Sequence, residues 1–399
     1  MVTSNGASRR SSWSSRHLPI LGMACAIVVL AIPAFAAGLE PVRVAGGSTW
    51  EGRQFVSADR AGNVYFFRAA TFEVFPLTKS GTLGKPIRLE TSKGVGGDLY
   101  DATMNAAGDQ WLLYGPRSVR LFAAGKEKPL PAPDWKVVAA GFRRDSPVLA
   151  VAPMPLDSKR DPRSVKVLPW LQELGRNRWE TYVEREGESL VELIQNDNWF
   201  GESLESDPAY LFGDRQGNLW AARRYAYRVQ QFSPAGRLRL EILGEDGKIR
   251  RKDDRPQSKG IEVKWADPKN NPTRNPTEAT HQPGQEKATF HAFTASEAIQ
   301  DLVEGRDGRV YFLVVLAGGE AALDRFDPVA VKVERIGLGL QGEGRFTMAA
   351  GKEGLYLAAW EGHAGRWLVP WEQLELASWK DAEGITIDGL EVQAEARKQ

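Results

Sequence analysis

The sequence predicts an all-β protein made of six copies of one four-stranded antiparallel sheet, and two observations carry this prediction. The 399 residues include 13 Trp and 40 Gly, a composition that favours pleated sheets joined by tight turns. Apolar runs also flank a Gly-centred turn at a regular spacing: Gly62 and Gly108 are 46 residues apart, and so are Gly308 and Gly354. Repeats of this length are typical of propeller blades, so we predict a six-bladed β-propeller.

The fourth copy shows the pattern most completely. Its four predicted strands are Tyr210–Phe212, Leu219–Ala222, Arg228–Phe232 and Arg237–Leu243. The segment Asp214–Asn218 places a Gly in a short hairpin loop, and Ser233–Gly236 places Pro and Gly where a tight turn requires them. One such sheet cannot bury both of its faces alone, so it needs neighbouring copies to pack against.

Six blades are expected in chain order, with one long interruption. Their predicted bounds are about 50–92, 98–136, 137–196, 206–249, 297–340 and 345–381. In the third blade, the hairpin Gly141–Pro153 precedes expected strands at Val165–Leu168 and Trp179–Val183. Between blades 4 and 5, residues of about 250–289 form a polar insertion rich in Pro, Asn and charge. We expect a long loop there, more typical of a disordered excursion than of a functional loop.

The two ends of the propeller segment are predicted to close the ring. Residues Glu40–Gly46 and Gly384–Val392 both alternate like strands. Either segment can complete a neighbouring sheet and so join the termini. Closure matters because an open ring leaves sheet edges unpaired.

The N-terminal residues 1–36 have the pattern of a secretory signal peptide. Basic residues up to Arg16 precede an apolar run from Leu18 to Ile32, and Ala34–Ala36 is a small-x-small cleavage site. The mature chain, 37–399, is then expected to begin at Ala37 and to be periplasmic or secreted. The alternative is an uncleaved N-terminal helix that anchors the protein in the membrane, because the apolar run approaches the ~20 residues that such a helix needs.

The composition of the mature chain excludes several classes of site and partner. Without residues 1–36 the chain has 49 basic and 51 acidic residues, so no basic footprint for nucleic acid is expected. Cys25, within the predicted signal, is the only cysteine, which excludes an internal disulfide and a cysteine metal site from the mature protein. No Gly-x-Ser-x-Gly elbow, phosphate-binding loop or dinucleotide fingerprint occurs in the sequence.

The segment Tyr210–Leu243 resembles an NHL repeat. It carries in order the Asp-x-x-Gly-Asn turn, the Arg-Val-x-x-Phe strand and the Pro-x-Gly turn of that repeat, whereas the other blades match mainly in the first turn and strand pair. The resemblance implies a propeller architecture. It says less about activity, since such families include binding modules, sensor domains and a minority of enzymes.

The opening of the first blade is similar to that of the gluconolactonase-like propellers, in which a Glu-Gly pair supplies a ligand to a divalent metal. Glu51 precedes a Gly here, but Arg53 replaces the family's Pro. Asn196 or Asn198, with Asp207 or Asp301, are candidates for the remaining ligands, although none lies in the family's local motif. The resemblance therefore implies an alternative: a metal-dependent lactonase-like hydrolase with a cation such as Ca²⁺ at Glu51, Asn196 and Asp207. The favoured interpretation has no metal and no cofactor.

A cluster of Arg and aromatic residues predicts a ligand-binding face. Arg223, Arg224 and Tyr225 follow the second strand of blade 4. In a propeller this turn shares a face with the segments that lead into the inner strands, where Trp199, Asp301 and His363 are also expected. Arg and aromatic side chains are enriched at binding hot spots, although Arg223 and Arg224 could equally pair with neighbouring carboxylates on a solvated rim. The sequence thus favours a module that binds a protein partner or a small extracytoplasmic ligand over an enzyme.

Overall fold

The computed structural model describes most of the propeller segment. The described residues are 39–44, 50, 52–91, 99–115, 118–155, 167–184, 210–222, 227–244, 297–316, 320–341, 346–359 and 365–389. The chain divides after Ala37 into two units, and all described residues belong to the second. The predicted signal segment and the polar insertion at about 250–289 lie outside these ranges.

The described elements are strands, apart from one short helix, and the strands form six antiparallel sheets. The chain begins with β1 (Val42–Arg43). Blade 1 contains β2 (Gln54–Ala58), β3 (Val64–Arg68), β4 (Glu73–Pro76) and β5 (Ile87–Arg88). Blade 2 contains β6 (Asp101–Met104), β7 (Gln110–Gly115), β8 (Ser118–Ala123) and β9 (Lys126–Lys128). Blade 3 contains β10 (Trp135–Arg143), β11 (Ser146–Pro155), β12 (Pro169–Leu174) and β13 (Trp179–Glu184).

The second half follows the same order. Blade 4 contains β14 (Tyr210–Gly213), β15 (Leu219–Ala222), β16 (Arg228–Phe232) and β17 (Leu238–Leu243). Blade 5 contains β18 (Glu297–Glu304), β19 (Val310–Leu316), β20 (Glu320–Asp327) and β21 (Lys332–Gln341). Blade 6 contains β22 (Phe346–Ala350), β23 (Gly354–Ala359) and β24 (Arg366–Pro370). Helix α1 (Trp371–Leu376), β25 (Lys380–Asp381) and β26 (Thr386–Asp388) follow.

The sheets form a closed ring, which confirms the predicted six-bladed β-propeller. The first strand of each blade lies against the first strands of the two adjacent blades, and β22 of blade 6 lies against β2 of blade 1. The inner strands begin at one face, the loop face, and end at the other, the turn face. The hairpin turns that define the turn face are residues 59–63, 105–109, 144–145, 214–218, 305–309 and 351–353.

The termini join the ring in different ways. β1 pairs with β24, with Val42 opposite Leu368, so the N-terminal strand supplies the fourth strand of blade 6. The C-terminal strands instead extend two other sheets: β25 pairs with β21 of blade 5, and β26 with β17 of blade 4. The sixth blade was expected to reach residue 381, but its sheet ends at Pro370.

The third blade corrects one predicted strand. Its third strand is β12 at Pro169–Leu174, not Val165–Leu168. Leu171 pairs with Ala150 of β11, and both side chains are completely buried. The run that forms the strand is therefore the one whose Leu171 is buried when it pairs with β11. Pro169 is tolerated because it is the first residue of the strand.

Aromatic side chains fill the wedges between blades. Phe67 and Trp111 pack together between blades 1 and 2, with ring centroids 5.9 Å apart, and Trp220 lies 6.0 Å from Phe326 between blades 4 and 5. All four side chains are buried. Because the sheets splay outwards, large rings fill the interface with few residues.

The Gly-centred turns are structural, as their residue pattern predicts. Gly217 has φ 86°, and a Cβ there would lie 2.7 Å from Nε of Arg144. The carboxylate of Asp214 accepts hydrogen bonds from the backbone and side chain of Asn218 and from Nε1 of Trp220. Gly354 differs, since it lies within β23 rather than at a turn position with positive φ.

Candidate functional site at the central channel

Of the predicted binding residues, Asp301 falls within the described ranges. Arg223, Arg224, Tyr225, Trp199 and His363 lie outside them, as do the alternative metal ligands Glu51, Asn196 and Asp207. These assignments therefore remain predictions from the sequence.

Asp301 lies in the middle of β18, the inner strand of blade 5, and its carboxyl group faces blade 6. Oδ1 accepts a hydrogen bond from the backbone N–H of Leu302 at 2.8 Å, and Oδ2 accepts one from that of Met348 in β22 at 2.6 Å. Inner strands have one edge without a strand partner, so their N–H groups need other acceptors. Asp301 supplies one of them across the junction of blades 5 and 6.

The next two junctions use hydroxyl groups in the same way. Oγ1 of Thr347 in blade 6 accepts the N–H of Val56 in blade 1 at 3.0 Å, and Oγ of Ser57 accepts that of Met104 in blade 2 at 3.1 Å. The channel wall therefore carries polar groups at three of the junctions, whereas the interfaces between blades are apolar. We call Ser57, Asp101, Asp301 and Thr347 the channel groups.

Asp101 is the residue that the sequence reasoning missed. It lies four positions before the first turn residue of blade 2, Asn105, as Asp301 lies four positions before Gly305 in blade 5. Blades 2 and 5 are opposite each other in a ring of six, so these equivalent positions face each other across the channel. Superposing the repeats at their turns, rather than searching for local motifs, would have found the pair.

The two carboxyl groups differ in their contacts. Oδ1 of Asp101 accepts the N–H of Ala102 at 2.7 Å, and no described residue donates a hydrogen bond to its Oδ2. Both oxygens of Asp301 accept backbone N–H groups. Asp101 is the first residue of the short strand β6 and Asp301 the fifth of the longer β18, but both lie four residues before their turns and therefore at similar depth in the channel.

The channel environment raises the pKa values of Asp101 and Asp301. Burial raises the pKa of Asp101 to about 7, against a smaller opposing effect of the Ala102 N–H. Burial, followed by the charge of Asp101, raises the pKa of Asp301 well above its usual range. Both side chains keep a partly accessible surface although protein surrounds them, as expected for groups that line an internal channel. A cationic or hydrogen-bond-donating group placed between them would favour their ionised forms.

Within the described ranges, no three His, Cys, Asp or Glu side chains are arranged to hold a metal ion. In the same ranges, no helix has both the length and the apolar character needed to cross a bilayer.

Comparison with known proteins found distant similarity to solved structures. No family model and no curated protein matches the chain. Among solved structures, a selenomethionine-substituted virginiamycin B lyase from Staphylococcus aureus is 11% identical, with a TM-score of 0.40 over 83% of this chain and 98% of that one. The RRP9 WD40 repeats are 11% identical, with a TM-score of 0.45 over 84% and 99% of the two chains. A putative exported protein from Bacteroides fragilis is 9% identical, with a TM-score of 0.45 over 80% and 83%.

Proposed function

We propose that the protein is an exported binding module that holds a protein partner or an extracytoplasmic ligand at the loop-face mouth of its channel. One observation carries the proposal: Asp101 and Asp301, from opposite blades, place two carboxyl groups in one channel, and no described cationic side chain pairs with either of them. The group that such a site recognises is a cation with hydrogen-bond donors, such as an ammonium or guanidinium group.

The position of Asp101 gives the direction of approach. Inner strands run from the loop face to the turn face, Asp101 is the first residue of β6, and its Oδ2 has no described hydrogen-bond donor. A ligand that enters from the loop face therefore meets an acceptor that the fold has not used. The sequence predicts Arg223, Trp199 and His363 at this face, so the proposal includes a larger contact surface around the channel mouth.

The finer family assignment is part of the proposal. The turn chemistry of Asp214–Asn218 supports an NHL-like repeat in blade 4. Against the lactonase-like alternative, both oxygens of its candidate ligand Asp301 already accept backbone N–H groups. We therefore propose a module without metal, cofactor or nucleic-acid partner. Elemental analysis and thermal scans with calcium and EDTA distinguish it from the lactonase-like alternative.

The cellular location rests on the N-terminal sequence. Its basic, apolar and Ala-rich parts follow the order of a cleaved signal, which supports a periplasmic or secreted mature protein beginning at Ala37. Intact-mass analysis of soluble and membrane fractions tests this. A full-length membrane-bound species would show that the segment anchors the protein.

The binding proposal is tested with two basic probes, lysine amide and a Lys-rich peptide, and with a neutral and an acidic control, glucose and citrate. Each is added to the mature protein and to Asp101→Asn, and the melting temperature is followed. We expect a basic probe to stabilise the wild type, by about 2.7 kcal/mol at a hundredfold excess over its dissociation constant, and to lose at least tenfold in affinity in the variant. A preference for the peptide over lysine amide indicates a protein partner. Equal shifts in both proteins, or none, would overturn the proposal.

A further inference from the structure

A cavity at the turn face has the opposite character to the channel. Its volume is about 190 Å³, and it lies between blade 5 and helix α1. Three arginines, Arg306, Arg309 and Arg325, line it together with Tyr311 and Trp371. We call it the arginine cavity.

Arg309 is fully engaged by the protein. Its Nε and Nη2 lie 3.0 and 2.9 Å from Oδ2 of Asp327, and its Nη1 lies 3.2 Å from Oδ2 of Asp307. The Tyr311 hydroxyl donates to the same Asp307 oxygen at 2.9 Å. These contacts fix the wall of the cavity and leave Arg309 little capacity for a ligand.

Arg325 differs because only part of its guanidinium is used. Its Nε donates to Oε2 of Glu334 at 2.7 Å, and the group lies over the ring of Trp379 at 4.1 Å. No described residue accepts a hydrogen bond from Nη1 or Nη2, although the side chain is only 14% exposed. A guanidinium has five N–H donors, so the four on Nη1 and Nη2 have no described protein acceptor.

Arg306 provides a movable second charge. It lies 5.6 Å from the ring of Trp371 and pairs with Oε1 of Glu375 at 2.5 Å. Both members of this pair are more than half exposed, and exposed pairs contribute little to stability. A ligand oxygen can therefore replace Glu375 at small cost.

We propose that the arginine cavity binds a carboxylate group, with Arg325 donating from its terminal amino groups, Arg306 closing over the ligand and Trp371 packing against its apolar part. Guanidinium and carboxylate match in planar, bidentate geometry. The acidic side chains Asp307 and Glu375 also line the cavity, so they repel a ligand that places one carboxylate group there less than a ligand that places a doubly charged phosphate group there.

The size of the cavity limits the ligand. At about 190 Å³ it is smaller than the ~300–1,000 Å³ of sites for drug-sized molecules. It suits a short carboxylic acid, or one acidic side chain of a partner protein. This second site goes beyond the proposed function and lies at the other face of the ring, so either proposal can fail alone.

The test uses glutarate, inorganic phosphate and an acetylated tri-glutamate peptide as probes in titration calorimetry with the mature protein. We expect glutarate to bind more tightly than phosphate, with at least tenfold weaker binding in Arg306→Ala and no measurable binding in Arg325→Gln. Glu334 keeps its partner Lys332 at 2.6 Å in the latter variant, which favours folding. If circular dichroism shows that Arg325→Gln does not fold, Arg325→Lys replaces it, with at least tenfold weaker binding expected.

Matched controls separate the cavity from general charge effects. Arg178→Ala removes a more exposed Arg–Glu pair in blade 3, and Asp101→Asn alters the channel; both should bind glutarate like the wild type. Tighter binding of the peptide than of glutarate would identify a partner side chain as the carboxylate source. Absence of glutarate binding, tighter binding of phosphate, or unchanged affinity in the Arg325 variant would each overturn the proposal.

Discussion

The central channel and the arginine cavity differ both in charge and in how the chain builds them. Three channel groups, Asp101, Asp301 and Thr347, lie four residues before the turn of their blade, and Ser57 lies two residues nearer its turn. Ser57, Asp301 and Thr347 accept N–H groups at the free edges of neighbouring inner strands. The arginine cavity combines the turn of one blade with a helix that follows the last repeat. Repetition thus creates a site on the axis of the ring, and an added segment creates one at its periphery.

Pairing of charges is the second difference. Burial alone lowers the pKa of Arg309, but hydrogen bonds to Asp307 and Asp327 outweigh burial, so its net pKa is raised and it stays charged. The channel acids have no described cationic partner, and burial raises their pKa values towards neutrality or above. We therefore expect the channel to respond to pH near neutrality and the cavity to keep its arginine charge.

The largest expected effect is a loss of stability on removal of Trp371, the aromatic side chain that lines the arginine cavity. Trp371 is 3% exposed, and its Nε1 donates to the carbonyl of Gly351 in the blade 6 turn. Trp371→Ala should reduce the free energy of unfolding by about 3–5 kcal/mol, measured by urea denaturation. Leu376→Ala on the same helix is the control, since Leu376 is 82% exposed and should change little. A loss below about 1 kcal/mol would show that α1 is not integral to the fold.

A smaller decrease in the free energy of unfolding is expected when the channel group Thr347 is changed. Thr347→Val removes the acceptor of the Val56 N–H but keeps the shape of the side chain. Leaving this buried donor unsatisfied should cost about 1–3 kcal/mol in urea denaturation. Thr347→Ser keeps the hydroxyl and should retain more of the stability. Equal losses in both variants would mean that the methyl group, not the hydrogen bond, stabilises the junction.

Asp101→Asn should instead stabilise the protein, and only at higher pH. The folded state binds the Asp101 proton more tightly than the unfolded chain does, so protonated Asp101 contributes to the stability of the fold. This contribution is complete below about pH 4 and is lost as the pH rises to the folded pKa of about 7. Asn keeps an acceptor for the Ala102 N–H and carries no charge. We expect a gain of about 1–3 kcal/mol at pH 8 and little at pH 4, from urea denaturation at both values.

The control for this variant is an exposed acid. Asp381→Asn, at a side chain that is 84% exposed, should show no such pH-dependent gain. A stabilisation of Asp101→Asn that is equal at both pH values would contradict a buried, titrating channel acid.

The smallest expected effect concerns metals. We expect the purified protein to hold no stoichiometric Ca²⁺, Mg²⁺, Mn²⁺ or Zn²⁺, and EDTA to leave its melting temperature nearly unchanged. Elemental analysis and thermal scans measure both. If millimolar calcium raises the melting temperature by several degrees, Glu51→Gln abolishes that shift and sugar lactones are hydrolysed, the lactonase-like alternative replaces the binding module.

Local sequence determined the strands and turns. In blade 4 the predicted strand bounds agree with the structure to within one residue, because alternating apolar residues and Gly-centred turns act over only a few positions. The 46-residue spacing likewise predicted the number of blades. Blade 3 departs because two apolar runs, at 165–168 and 169–174, satisfied the same local pattern.

Only the tertiary structure decided which distant residues meet. The sequence showed that both termini are strand-like, but the ring assigned β1 to blade 6, β25 to blade 5 and β26 to blade 4. It also brought Asp101 opposite Asp301, 200 positions later, and placed Trp371 against the arginines of blade 5. The physical reason is that backbone preference is local, whereas pairing of sheet edges, burial of charge and the shape of a cavity depend on closure of the whole ring.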